Sequence, residues 1–150
     1  MNQEKLAQLA AEKAAKLNLP YAGAFTPPEA LAYVNEVADS VIVDVRTRPE
    51  LNYVGRIPKA VEIEWQVWPE MSINDKFIDE LKNIDIHEET PVLFICRSGV
   101  RSHHAALAAH SAGYKKAFNI LEGFEGDLNT DKQRSRSNGW RFHGLPWHQN

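Results

Sequence analysis

The chain has 150 residues, 43% hydrophobic and 25% charged, which is enough for one domain with a buried core and short of the usual length for two. A formal net charge of −3 offers no basic field to nucleic acid or an anionic membrane, and a single cysteine excludes an internal disulfide and any zinc site built on paired cysteines. No apolar run approaches membrane-spanning length, and Glu4 and Glu12 fall where a secretion signal needs an uninterrupted apolar stretch, so a cytoplasmic location is expected.

In chain order, Leu6, Leu9, Ala10, Lys13 and Leu17 recur at helical spacing before Pro20, which predicts an amphipathic helix over residues 3–17. Its apolar stripe is expected to pack on its own domain, with partner binding or dimer formation as the alternative. TPPEALAYVNEV predicts a second helix capped by Thr26, with Pro27 and Pro28 at its start. VIVDV, at 41–45, is a β-branched run of the kind found in strands covered on both faces, and a shorter strand is expected over about 60–63. NDKFIDELKNI reads as a helix capped near Asn74 or Asp75, and Pro91 opens a second buried-strand signal, VLFIC. The segment RSHHAALAAHSAG is helical, with Gly113 at the position that favours a left-handed residue, and AFNIL at 117–121 predicts a last strand. From Asp127 the chain is polar and glycine-bearing, read as a long surface loop with a short helix or turn near Trp140. Alternating strands and helices predict an α/β fold, a mostly parallel central sheet of about five strands flanked by helices.

In such a sheet, ligands gather at the carboxyl ends of the strands, where both Cys96 and the stretch from Asp44 to Arg46 fall. From Cys96 the chain runs through CRSGVRS directly into a helix, so backbone N–H groups of the turn and of the first helical turn converge on the sulfur. That nest, the helix dipole and two guanidinium groups favour the thiolate over the thiol. A lone cysteine after an apolar run is ordinarily a buried structural residue; Gly99 and the flanking Arg97 and Arg101 point instead to a nucleophile.

These blocks resemble the single-domain rhodanese-like sulfurtransferases. VIVDVR is similar to the family's strand ending in Asp-x-Arg, here Asp44 and Arg46, with Glu50 following at the family's spacing. GRIPKA resembles its Gly-His-Ile-Pro-Gly-Ala block, with Arg56 and Lys59 replacing the His and the second Gly. CRSGVRS resembles its active-site loop, LEGFEG stands where the family has Leu-x-Gly-Gly, and the GLPW stretch resembles its closing signature. The resemblance spans about residues 26–147, and it divides the chain into an N-terminal helix over 1–20 and a catalytic domain over 21–150.

It implies that the Cys96 thiolate attacks the outer sulfur of a donor such as thiosulfate, keeps it as a persulfide, and yields it to a thiophilic acceptor: cyanide, a thiol or a protein. The loop from Arg97 through Ser98, Gly99, Val100 and Arg101 to Ser102 is expected to bind the substrate: Arg97 takes the donor's sulfonate oxygens, Ser98 and Ser102 add hydroxyl donors, Gly99 turns the backbone, Val100 anchors the loop in the core, and Arg101 closes it. Asp44 and Arg46 are expected to form a partly buried ion pair that supports the loop, with Glu50 as a further supporting residue. No cofactor is called for. With no second cysteine, the acceptor comes from outside the chain, which is expected to act as a monomer or a homodimer.

Three rivals remain. Cysteine phosphatases resemble one another in a Cys-x5-Arg loop wide enough for phosphate, whereas here Arg101 follows after four residues and Ser102 stands where the arginine is needed. A partner-binding rhodanese-like module usually lacks the cysteine that this chain keeps. A persulfide carrier loaded and unloaded by proteins is the third. His103, His104 and His110 read as solvated or capping residues rather than a metal site, since adjacent histidines diverge and no acidic or thiolate partner lies at ligand spacing. Lys132, Arg134, Arg136 and Arg141 are either a positive rim that attracts anionic donors or an ordinary solvated loop. Trp65, Trp68, Trp140 and Trp147 are expected to be core and rim anchors.

Overall fold

The computed structural model describes residues 2–150, so Met1 of the N-terminal segment lies outside the described residues. Helix α1 (Gln3–Lys16) is capped by Asn2, whose side chain accepts from the Lys5 N–H at 2.9 Å, and it buries Leu6, Ala10 and Ala14 at four-residue intervals. That face lies on β1 (Gly23–Phe25), a strand with no pattern long enough to reveal it in the sequence. Contact is close because position 23 has no side chain: a Cβ there would lie 2.8 Å from the Ala10 backbone. Helix α2 (Pro27–Glu36) starts as expected, with Thr26 and Glu29 forming a reciprocal capping box.

The next elements are β2 (Val41–Asp44), the short helix α3 (Arg48–Tyr53), β3 (Val61–Glu62) and a hairpin of β4 (Gln66–Val67) and β5 (Ser72–Ile73). Then come α4 (Phe77–Lys82), β6 (Val92–Ile95), α5 (Val100–Ser111) and β7 (Ala117–Ile120). α4 starts later than the sequence suggests. Asn74 does not cap it but closes a turn before it, its side chain accepting from the Lys76 N–H and its carbonyl from the Phe77 N–H. Neither α3 nor the β4–β5 hairpin is anticipated by the sequence reading.

The sheet is parallel throughout, in the order β1-β7-β6-β2-β3. β6 lies at its centre and all four of its residues are buried, which is why its sequence is an unbroken apolar run rather than an alternating one. One face carries Phe77, Leu81, Ala105 and Ala109; the other carries Leu6, Ala10, Ala30 and Trp140. β2 and β6 run in register, Asp44 opposite Ile95, and the Val45 N–H continues the ladder by donating to the Ile95 carbonyl at 2.8 Å. That register sets the Asp44–Arg46 corner beside the chain that leaves β6 at Cys96.

Candidate active site

Cys96 is the first residue after β6, and α5 starts four residues later. The turn between them passes through Gly99 at φ +105°, a left-handed conformation that a side chain would strain, and this directs the Gly99 N–H at the Cys96 sulfur, 3.1 Å away. The Ser102 hydroxyl lies 3.3 Å from the same sulfur. Cys96 itself is 1% exposed, so the sulfur sits at the bottom of a cradle made by its own loop and the first turn of α5.

Ser102 is held by a residue the sequence reading passed over. Asn119, in the middle of β7, accepts from the Ser102 hydroxyl at 2.6 Å and donates to the Gly99 carbonyl at 3.3 Å. One buried amide thereby ties both ends of the cradle to the neighbouring strand. The signal was present: an asparagine inside an otherwise apolar strand needs buried partners. Beyond Asn119, the Tyr21 hydroxyl is 2.8 Å from His103 Nδ1, and burial pushes Tyr21 up to about 12 against the opposing hydrogen bond of Asn119. His103 is thus engaged by a tyrosine, and among the described residues no group of His, Cys, Asp and Glu side chains converges as a metal site requires.

The loop is clasped from outside as well. The Phe124 N–H donates to the Cys96 carbonyl at 2.8 Å, and the N–H groups of Glu125 and Gly126 donate to the Arg97 carbonyl at 3.0 and 3.1 Å. Gly123 permits this approach, because a Cβ there would fall 2.4 Å from the Arg97 backbone. LEGFEG therefore supplies a buttress under the active-site loop.

Around the loop, the carboxylate and guanidinium groups among the described residues sort into two ion pairs and one cation without a carboxylate partner. Asp44 and Arg46 are both 0% exposed, a deeper burial than the partly buried pair expected, and Arg46 meets the carboxylate through Nε at 3.0 Å and Nη2 at 2.7 Å. Arg46 also donates to the Gly55 carbonyl and lies 4.0 Å over the Phe124 ring, so the pair braces the buttress. Arg101 donates to both oxygens of Glu50, at 2.7 and 2.9 Å. Burial raises the Glu50 carboxyl, but the hydrogen bonds and charge of Arg101, together with the Thr47 hydroxyl and amide, outweigh it and hold it down at about 2. Arg97 is exposed and has no side-chain partner among the described residues.

Val100 is a correction. It is 64% exposed and does not anchor the loop. α5 faces the sheet with Ser102, Ala105, Ala106 and Ala109, and Val100, two residues before Ser102, projects from the other side of the helix. Ser98 is half-buried beside the sulfur's turn, without a hydrogen bond from its hydroxyl among the described residues. The basic segment divides: Arg134 donates to the Gly126 carbonyl and Arg141 to Ser135 and the Val54 carbonyl, while Lys132 and Arg136 are exposed. Of the tryptophans, Trp140 is fully buried and Trp68 is 57% exposed. Among the described residues no helix is long and apolar enough to cross a membrane.

A family model described as "Rhodanese-like domain" matches residues 26–129. The chain is 39% identical to the uncharacterized protein RP600 of Rickettsia prowazekii over 111 residues, covering 73% of this chain and 83% of that one. It is 26% identical to a sulfurtransferase of Allochromatium vinosum over 111 residues, covering 74% of this chain and 80% of that one. Among solved structures, Rv0390 from M. tuberculosis is similar at 40% identity with a TM-score of 0.80, covering 87% of this chain and 99% of that one.

Proposed function

The chain belongs to the rhodanese-like domain family, and on that premise we propose that it is a sulfurtransferase in which Cys96 takes a sulfane sulfur from an anionic donor such as thiosulfate and passes it to a thiophilic acceptor. The observation that carries this reading is the cradle: a buried sulfur with the Gly99 N–H at 3.1 Å and the Ser102 hydroxyl at 3.3 Å, at the N-terminus of α5. The Ser102 proton is given to Asn119, so the preorganised donor aimed at the sulfur is the Gly99 N–H, which with the N-terminus of α5 stabilises a sulfur anion without reorganisation during the reaction.

In the first half-reaction an electron pair of the Cys96 thiolate forms a bond to the donor's outer sulfur. The donor's sulfur–sulfur bond breaks, and its electron pair leaves on sulfite. The transferred sulfur carries the negative charge as a Cys96 persulfide. Arg97, exposed at the loop's edge and without a side-chain partner among the described residues, binds the donor's oxygens by charge-assisted hydrogen bonds. Arg101, engaged on both Glu50 oxygens, fixes the first turn of α5. In the second half-reaction the acceptor attacks the terminal sulfur and restores the thiolate, a ping-pong scheme.

Intact mass spectrometry tests this. Incubation with thiosulfate is expected to add one sulfur atom to the protein, removable by cyanide with release of thiocyanate and absent in Cys96→Ser. Turnover of aryl phosphates with no sulfur adduct would establish a phosphatase instead.

A further inference from the structure

Gly99 and Ser102 both reach the Cys96 sulfur, but only Gly99 has a proton to give it. The Ser102 hydroxyl carries a single hydrogen, and its bond to Asn119 Oδ1 is short at 2.6 Å, while the sulfur lies 3.3 Å away. The amide is held in that sense from its other end. Asn119 Nδ2 donates to the Gly99 carbonyl at 3.3 Å, and a flipped amide would set Oδ1 against that carbonyl, two acceptors facing each other. The sulfur therefore meets an N–H on one side and the lone pairs of the Ser102 oxygen on the other. Those lone pairs accept from the S–H of a thiol and give a thiolate nothing. For the hydroxyl to serve the thiolate it must leave Asn119, which is 3% exposed, so that Oδ1 would carry the full desolvation penalty of an unpartnered acceptor.

The charged and titratable groups around the sulfur leave that choice to Asn119. On α5, Arg101 is closed on Glu50 of α3, and His103 is bonded to Tyr21 and held below its usual value by burial and by the exposed His104 beside it. Tyr21, pushed up to about 12 by burial, is neutral below that range. On β2, Asp44 is closed on Arg46, while Arg97 of the loop is exposed. In the buttress, Glu122 accepts from the Gly139 N–H and lies 2.9 Å from His143 Nε2, and Glu125 pairs with Arg141. Each of these charges acts on the sulfur alike, whichever way the Ser102 hydroxyl points.

We propose that Asn119 is a positioning residue that withholds the Ser102 proton from the Cys96 sulfur and so keeps the thiolate a stronger nucleophile than a fully hydrogen-bonded one; this rests on Cys96 being the nucleophile of the sulfurtransferase reading. A thiolate relieved of one donor is more basic, and its attack on sulfur quickens with basicity. The Gly99 N–H and the N-terminus of α5 still stabilise the anion, and Asn119 sets how far.

The chain has one cysteine, so its ultraviolet thiolate absorbance, with Cys96→Ser subtracted at each pH, reads Cys96 alone. Asn119→Ala frees the hydroxyl to donate to the sulfur, and the midpoint is expected to fall by about one pH unit. The rate constant for alkylation by iodoacetamide well above the midpoint is expected to fall about threefold, the change that one unit of thiolate basicity brings. In a Ser102→Ala background, Asn119→Ala is expected to move neither value. A cradle merely loosened by loss of the amide would give the opposite sign, because a weaker Gly99 contact raises the midpoint. A midpoint unchanged or raised in Asn119→Ala, an alkylation rate that does not fall, or a shift that persists without Ser102 overturns the proposal. If circular dichroism shows Asn119→Ala unfolded, Ser102→Ala alone decides: removing an oxygen that gives the thiolate no proton leaves the midpoint unchanged or lower, and a rise of about one unit overturns the proposal. None of these readouts needs a sulfur donor. Absence of a sulfur adduct after thiosulfate defeats the sulfurtransferase reading, whereas a wrong-signed midpoint in a protein that does load sulfur defeats this inference alone.

Discussion

Arg101, on the first turn of α5, grips both carboxylate oxygens of Glu50 on α3, at 2.7 and 2.9 Å across 51 positions of sequence. An arginine that the loop motif alone presents as a ligand for substrate is thereby turned into a strut between two helices. Glu50 serves the pair twice, because it also accepts from the Thr47 amide and hydroxyl that start α3.

Glu50→Gln removes the charge from this strut, and we expect a loss of about 1–3 kcal/mol at neutral pH. The sign of its pH dependence follows from the carboxyl being depressed from 4.5 to about 2. A depressed carboxyl stabilises the fold fully above its unfolded value and loses that contribution as pH falls towards its folded one. The difference in unfolding free energy between the parent and Glu50→Gln should therefore be constant above about pH 5.5 and shrink between pH 5 and pH 2. Denaturant titrations across that range that show a constant difference would refute the assignment.

Cys96→Ser should keep its fold, since the exchange is nearly isosteric at a position already touching Ser102 and the Gly99 N–H. Sulfur transfer from thiosulfate to cyanide should fall below about one-thousandth of the parent rate, because a hydroxyl at neutral pH is a far weaker nucleophile. Circular dichroism and thiocyanate release are the two readouts, and activity that survives in a folded variant removes Cys96 from its role.

Arg97→Ala should leave stability unchanged, as the side chain is exposed and unpaired among the described residues. Its effect belongs to donor binding: a lost charge-assisted contact is expected to raise the thiosulfate KM by roughly 10- to 100-fold with a smaller change in kcat. Steady-state kinetics with thiosulfate varied at fixed cyanide separate the two. An unchanged KM shows that the guanidinium points away from the donor.

Gly123→Ala tests the buttress. A methyl group at this position falls 2.4 Å from the Arg97 backbone, at a φ of +70° that is itself unfavourable for alanine. The loop and the buttress must separate, at a cost of about 1–3 kcal/mol and a Tm lower by about 2–12 °C. Because Cys96 and Arg97 both accept hydrogen bonds from this segment, sulfur transfer should fall along with stability. A variant with parent Tm and parent activity would mean that the buttress carries no strain into the site.

By itself the sequence determined the features that depend on neighbours along the chain. The apolar runs at 41–43 and 92–95 announce strands covered on both faces, and Cys96, Gly99 and Arg101 at their spacing announce a tight turn into a helix. Thr26 and Glu29 write a capping box into four residues. Each is a local geometric constraint, satisfied within about one helical turn, and therefore legible from residue order.

What only the tertiary structure decided are the pairings between residues far apart in the chain. The sheet order β1-β7-β6-β2-β3 places Asn119 of β7 against Ser102, and the register of β2 on β6 sets Arg46 beside the loop. Glu50 is matched to Arg101 although nothing in either neighbourhood names the other. The β4–β5 hairpin, two residues per strand, is too short for a periodic signal, yet its place beside Arg97 sets Trp68 and Met71 in one cleft with that side chain. Val100, apolar in sequence, faces water because helix phase around the buried Ser102–Ala109 stripe leaves it on the outer side. Such contacts form only when non-local packing brings separate elements together, so their partners are set by the three-dimensional arrangement of the sheet and not by spacing along the chain.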